Sequence, residues 1–216
     1  MREATLIISN RNYSSWSLRG WLLTCLSGLS FKTELINDEA SRAELLLRSS
    51  SVRVPRLEHD GILVWDTLAI AEYLNELCPD AHMLPPDRAA RARCRSIAGE
   101  MHSGFSALRS ALPMNLRASK PGFPIWSAAR ADIAAIQEIW RDCLATWHGP
   151  YLFGTKLTIG DAMYAPVVTR FLTYDVKLEG ACADYAATIM QWPDMRSWIS
   201  ESKLEVEEVE ELDLDF

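Results

Sequence analysis

Asp60-Gly61 stands between two apolar runs, Val54-Pro55-Arg56-Leu57-Glu58-His59 and Ile62-Leu63-Val64-Trp65. A pair of this type makes the tightest antiparallel connection, because Asp and Gly tolerate the positive φ angles that a type I′ turn demands. A β-hairpin is therefore expected here. Upstream, Thr5–Ser9 has the character of a short buried strand. Leu18, Trp21, Leu22, Cys25, Leu26 and Leu29 then follow the spacing of one helix face, and Gly28 supplies a stop signal. Phe31, Thr33 and Leu35 alternate with Lys32, Glu34 and Ile36 as a second strand. Strand, helix and strand in this order predict a parallel βαβ unit. Residues 39–47 are weakly helical and Ser49-Ser50-Ser51 breaks them. After the hairpin, Asp66 and Thr67 open a helix carried by Leu68, Ala71, Leu74 and Leu77, which ends at Cys78-Pro79.

The Pro79–Pro86 segment has the composition of a linker, and every apolar pattern beyond it is helical. Ile97, Met101, Phe105, Leu108 and Leu112 predict one long helix closed by Pro113. Ile133, Ile136, Trp140, Cys143, Leu144 and Trp147 predict another, closed by Gly149-Pro150. A third begins at Thr158-Ile159-Gly160-Asp161, an acidic form of the capping box, and carries Tyr164, Val167, Val168, Phe171 and Leu172. Shorter helical pieces follow around residues 185–190 and 195–199. The expected division is residues 1–80, a linker at 81–87, a helical domain at 88–202 and an acidic tail at 203–216. That tail is too acidic to bury and is expected to be mobile and solvated.

With 216 residues and a formal charge of −7, the chain is long enough for two small domains and carries the wrong sign for a nucleic-acid partner. Arg88, Arg91, Arg93 and Arg95 crowd one short stretch, expected to be a solvated helix face. Five cysteines lie far apart with no CxxC and no zinc spacing, so no metal site is expected and the thiols fit a reducing compartment. No uncharged apolar segment of about 18 residues spans a membrane, and no basic start precedes an apolar run, so a cytoplasmic protein is expected.

The chemistry gathers in Ser9-Asn10-Arg11-Asn12-Tyr13-Ser14-Ser15-Trp16-Ser17-Leu18-Arg19. Hydroxyls grouped where a strand hands over to a helix sit beside unpaired N–H groups and the positive end of a dipole, a place that stabilises an anion. Ser14 serves equally as an ordinary helix cap, and so do Asp66 and Thr67.

Together with Val54-Pro55, the run Asp60–Leu74 and the Thr158–Asp161 box, this loop resembles the glutathione S-transferase family along nearly the whole chain. The resemblance implies a thioredoxin-like N-terminal domain that binds glutathione, followed by an all-helical C-terminal domain with a hydrophobic co-substrate site, assembled as a homodimer. It is closest to bacterial members. The Ser-Ser-x-Ser loop followed by Arg19 is similar to the zeta class and its maleylacetoacetate isomerases, with Trp16 where that class carries cysteine. Counting back from Gly28, the catalytic serine of that class falls on Ser14; Ser15 and then Tyr13 are the alternatives. A hydrogen bond from Ser14 would hold the glutathione thiolate, the reactive form of a thiol that otherwise titrates near ~8.5. The absence of cysteine between Asn10 and Arg19 counts against thiol-transfer chemistry.

By the same resemblance, Val54 pairs its backbone with the cysteinyl part of glutathione beside a cis Pro55. Asp66 meets the α-ammonium of the γ-glutamyl end, Thr67 holds its carboxylate, and Arg53 lies where a basic residue often meets the glycyl carboxylate. Met101, His102, Phe105 and Arg109 fall on the helix that lines the co-substrate cleft, where Met101 and Phe105 serve equally as core. The expected function is conjugation of glutathione to a small hydrophobic electrophile. Its alternatives are a zeta-like cis–trans isomerase and a binding protein without turnover.

Overall fold

A computed structural model describes residues 4–36 and 54–205. Four strands, β1 (Ala4–Ile8), β2 (Phe31–Leu35), β3 (Arg56–His59) and β4 (Ile62–Trp65), form one mixed sheet in the order β2-β1-β3-β4. β1 and β2 pair in parallel with Leu6 opposite Thr33, and α1 (Ser15–Ser27) connects them. β3 runs antiparallel to both β1 and β4, pairing Leu57 with Leu6 on one side and with Val64 on the other. Asp60 and Gly61 take φ angles of 48° and 81°, the double positive turn that their types favour. Ala4, Leu6, Ile8 and Leu57 are fully buried under α1 and α2 (Thr67–Leu77), which contribute Leu18, Leu22, Ile70 and Leu74 to the same core. This is the thioredoxin-like domain. The expected weak helix at 39–47, its serine break and Arg53 lie outside the described residues.

A short 3₁₀ turn at Pro79–Ala81 leads to six helices: α3 (Arg88–Ser103), α4 (Ser106–Ala111), α5 (Ser127–Trp147), α6 (Ile159–Thr173), α7 (Ala181–Gln191) and α8 (Pro193–Ser202). α6 is apolar nearly all round and runs through the centre of the helical domain, as a helix without a polar face must. Trp140 of α5 packs its ring edge-on or tilted against Tyr164, Phe171 and Tyr185 at 4.9–6.1 Å. The capping box forms: Asp161 Oδ2 accepts from the Thr158 N–H and from Thr158 Oγ1, each at 2.8 Å, while Oδ1 accepts from the Leu152 N–H at 3.0 Å.

The single long helix expected from Ile97 to Leu112 is two helices. α3 stops at Ser103, where the Gly104 N–H bonds Glu100 O, and Phe105 takes a left-handed φ of 52° before α4 begins. A Cβ at Gly104 would stand 2.7 Å from Glu100 O, so glycine permits this tight ending. The arginine crowd opens α3 on a largely solvated face, with Arg88, Arg93 and Arg95 exposed and Arg91 half-buried. Arg91 donates to Pro85 O and Pro86 O, and Arg95 pairs with Glu72 of α2 at 3.0 Å. Within the expected tail, Glu205 is fixed against the loop after β1, its carboxylate accepting from the Arg11 and Asn12 N–H groups at 2.8 and 3.2 Å. Residues 206–216 lie outside the described residues. Among the described residues no helix is long and apolar enough to cross a membrane.

Candidate active site at the domain boundary

Trp16, Val54, Pro55, Asp66, Thr67 and His102 line one cavity of about 230 Å³ between the sheet domain and the helical domain. Val54-Pro55 precedes β3 and its peptide bond is cis. The Pro55 ring lies against α1 at Gly20, where a Cβ would come within 2.5 Å of Pro55 Cβ and Cγ. Glycine at this helical position lets the two elements approach.

Asp66 caps α2 from a backbone of φ 75° and ψ 136°, a conformation that non-glycine residues rarely adopt. Its Oδ1 accepts from the Leu68 and Ala69 N–H groups at 2.9 and 3.3 Å, and these bonds hold the conformation in place. Its Oδ2 lies 2.5 Å from His102 Nε2 on α3. A carboxylate only accepts, so the imidazole nitrogen carries the proton of that bond. Thr67 is 2% exposed and its Oγ1 is buried without a hydrogen-bond partner. An unsatisfied buried hydroxyl at a helix N-terminus, at the positive end of the helix dipole, is a seat for a ligand carboxylate.

Ser14 is the N-cap of α1. The Ser17 N–H donates to Ser14 Oγ at 3.3 Å, and Ser14 Oγ donates to Ser17 Oγ at 2.9 Å. Ser17 Oγ also accepts from the Ser9 N–H at 3.1 Å, so it keeps a partner if the half-buried Ser14 turns its proton elsewhere. Ser15 faces the interior, 7% exposed, with its Oγ accepting from Arg170 Nη2 at 3.2 Å. Tyr13 Oη accepts from Arg117 Nη2 at 3.2 Å.

The helical domain delivers its expected residues unevenly. His102 reaches the cavity. Arg109 is half-buried, with its guanidinium carbon 5.5 Å from the centre of the Trp16 ring and Nη1 at 3.5 Å from His102 O. Met101 is fully buried and Phe105 is 9% exposed, and both belong to the core rather than to the cavity wall. The helix break at Gly104 rotates Phe105 inward.

Four further residues, Trp16, Asn115, Arg19 and Arg170, gather at the site. Trp16 stands in the cavity wall, 5.3 Å from the His102 ring. Asn115 is buried and its Oδ1 accepts from Asn12 Nδ2 at 2.9 Å, tying the α4–α5 connection to the serine loop. Arg19 and Arg170 are buried cations behind that loop. Trp16 and Arg19 belong to the serine-loop motif, and Met114–Arg117 after Pro113 is a segment expected to close the site; Arg170 alone carries no local signal until the fold brings it to the loop.

Burial raises the thiols of the chain. Desolvation pushes Cys94 up to about 12 and Cys143 up to about 11, and raises Cys25 and Cys182 in the same direction. None of the five cysteines is in a disulfide. Among the described residues no group of three or more His, Cys, Asp or Glu could hold a metal ion.

Residues 13–77 match the model of the glutathione S-transferase N-terminal domain and residues 88–201 that of the C-terminal domain. A probable maleylacetoacetate isomerase of Caenorhabditis elegans is 29% identical over 195 residues, covering 85% of this chain and 90% of that protein. The maleylacetoacetate isomerase of Rattus norvegicus is 28% identical over 175 residues, covering 78% of each. Among solved structures, a glutathione transferase homologue from Burkholderia gl BGR1 with bound glutathione superposes with a TM-score of 0.72 at 21% identity, covering 94% of this chain and 100% of that one. A maleylacetoacetate isomerase from Anaeromyxobacter dehalogenans 2CP-1, with bound dicarboxyethyl glutathione and citrate, superposes at 0.67 and 22% identity, covering 98% of each. With both domain models matched in order across the sheet and the helices, this chain belongs to the glutathione S-transferase family.

Proposed function

We propose that the chain binds glutathione at the domain boundary, ionises its thiol with help from Ser14, and joins it to a small hydrophobic electrophile. The observation that carries the reading is the buried, unpartnered Thr67 hydroxyl at the start of α2, in one cavity wall with Asp66, Val54 and Pro55. Thr67, through its hydroxyl and its own N–H, would take the γ-glutamyl carboxylate, Asp66 the α-ammonium, and Val54 the peptide backbone. The sulfur then falls towards α1. There Ser14 would exchange its bond to Ser17 for one to sulfur, contributing on the order of 1.5–3 kcal/mol, enough to lower the thiol's pKa by one to two units. The thiol proton leaves to solvent, sulfur forms the new bond to carbon, and the leaving group departs with its electron pair. Arg53 remains a candidate for the glycyl carboxylate, and His102 and Arg109 for the co-substrate side.

A second reading is a glutathione-dependent cis–trans isomerase, favoured by the Ser14-Ser15 loop and by the names of the two animal relatives. In that chemistry the thiolate adds to a double bond, the adduct rotates, and the thiolate is expelled unchanged. The test is a parallel assay of glutathione conjugation to an activated halonitroarene and of isomerisation of a maleyl compound. Conjugation above the uncatalysed rate supports the first reading, isomerisation alone the second, and glutathione binding without either a non-catalytic binding protein.

A homodimer is supported by the edge strand β4, whose Ile62, Leu63 and Trp65 are 50%, 44% and 41% exposed and would be covered by a second copy. Sedimentation gives the mass that tests it. Five cysteines outside disulfides support a cytoplasmic location.

A further inference from the structure

Three guanidinium groups crowd the first turn of α1. Arg19 projects from α1, Arg109 from α4 and Arg170 from α6, and Arg19 and Arg170 are 0% and 4% exposed. Arg170 Nε donates to Leu112 O at 2.8 Å and Nη2 to Ser15 Oγ at 3.2 Å. Arg19 Nε donates to Met163 O at 2.8 Å and Nη1 to Ser15 O at 3.4 Å. Ser15 is thus gripped through both backbone and side chain. Arg19 Nη2 and Arg170 Nη1 are buried with no hydrogen-bond partner. Among the described ion pairs none involves Arg19, Arg109 or Arg170. The Trp16 ring offers partial compensation, 4.5 Å from the Arg19 guanidinium carbon and 5.5 Å from that of Arg109.

Buried charge is costly unless an opposite charge offsets it. Burial and the neighbouring arginines pull Arg170 down to about 10 and lower Arg19 likewise, yet a guanidinium keeps its proton at neutral pH. The other titratable groups facing them are Tyr164 towards Arg19 and Tyr174 towards Arg170. Burial raises both phenols, so they stay neutral and supply no counter-charge. Among the described residues no acidic group pairs with the three arginines, so a net positive charge lies behind Ser14-Ser15, adding to the positive end of α1. An anion at this turn is what offsets it.

We infer that Arg19 and Arg170 are positioning residues that keep a bound glutathione sulfur ionised, through their grip on Ser15 and the positive field they set at the first turn of α1. This role rests on the glutathione reading above. The proton again leaves to solvent, and neither arginine forms or breaks a covalent bond.

Ultraviolet titration of the thiolate in the glutathione complex of the full chain tests it, with wild type beside Arg170→Met, Arg170→Lys and Arg109→Met. Arg170→Met should hold about tenfold less thiolate at pH 7 under saturating glutathione, and Arg170→Lys should recover most of it. Arg109→Met, at a half-buried position the fold tolerates, should move the thiolate fraction in the same direction by a smaller factor. An unchanged thiolate fraction in folded Arg170→Met overturns the role, as does, where that variant fails to fold, an unchanged fraction in Arg109→Met. So does equal loss in Arg170→Lys and Arg170→Met, which would make Arg170 a packing element only. Failure of the wild type to bind glutathione is seen separately by calorimetry and removes the underlying reading together with this role.

Discussion

Asp66 Oδ2 and His102 Nε2 meet 2.5 Å apart across the boundary between the sheet domain and the helical domain. One carboxylate thereby caps α2 through Oδ1 and latches α3 through Oδ2. Asp66→Asn keeps an oxygen for the cap while losing the charge. It should change stability by about 1 kcal/mol or less and raise the glutathione dissociation constant tenfold or more. Asp66→Ala should lose about 1–2 kcal/mol as well. Urea denaturation beside glutathione calorimetry separates the two effects, and intact binding in Asp66→Asn would remove Asp66 from the ammonium seat.

Gly20 and Pro55 set the distance between α1 and the cavity wall. A Cβ placed 2.5 Å from the Pro55 ring forces one element to move, so Gly20→Ala should destabilise the chain by about 1–3 kcal/mol. Because Val54-Pro55 is part of the wall, glutathione affinity should fall as well. A variant with unchanged midpoint and affinity would show that α1 and Pro55 adjust without consequence for the cavity.

Asp161 tests the helical core. Desolvation pushes its carboxyl up from 3.8 to about 6, against the three hydrogen bonds from Leu152 and Thr158 that pull it down. The folded chain then holds a proton between about pH 4 and 6 that the unfolded chain releases. Asp161's contribution to stability is therefore full below about pH 4, declines as pH rises to about 6, and is flat above, a change on the order of 3 kcal/mol at most. The stability gap between wild type and Asp161→Asn should be larger at pH 4.5 than at pH 8. A gap that widens with rising pH would reverse the assigned sign.

The hairpin at Asp60-Gly61 and the box at Thr158–Asp161 were legible in the sequence because both are local devices whose partners lie within a few residues. Val54, Pro55, Asp66, Thr67 and His102, which line the cavity, were singled out by the family resemblance and not by local pattern, which reads Asp66 and Thr67 equally as helix caps. The helix break at Gly104-Phe105 was not legible, since a phenylalanine in a left-handed conformation runs against its own preference and is held there by packing. Nor was the burial of Arg19 and Arg170 or the fixation of Glu205, because charged residues in a sequence pass for surface. Their burial or fixation depends on partners such as Met163, Leu112 and Arg11, more than fifty residues away along the chain.

The raised thiols predict a chemical phenotype. Cys25, Cys94, Cys143 and Cys182 should resist iodoacetamide at pH 7.5 in the folded chain, with any label confined to the half-buried Cys78. Glutathione-dependent turnover should survive the treatment. Peptide mass mapping reads the sites, and loss of turnover that tracks labelling at Cys25, Cys94, Cys143 or Cys182 would implicate a thiol of the protein itself.

In the proposed reaction the Ser14 hydroxyl, the half-buried N-cap of α1, activates the glutathione thiol while the buried Ser15 supports it from behind. The direct measurement is turnover of Ser14→Ala and Ser15→Ala beside wild type at saturating glutathione. Loss of one hydrogen bond to the thiolate should lower kcat in Ser14→Ala by roughly tenfold to a hundredfold with glutathione still bound, and Ser15→Ala should lose less. Undiminished turnover in Ser14→Ala, with the loss appearing in Ser15→Ala alone, would take Ser14 out of the reaction and put Ser15 in its place.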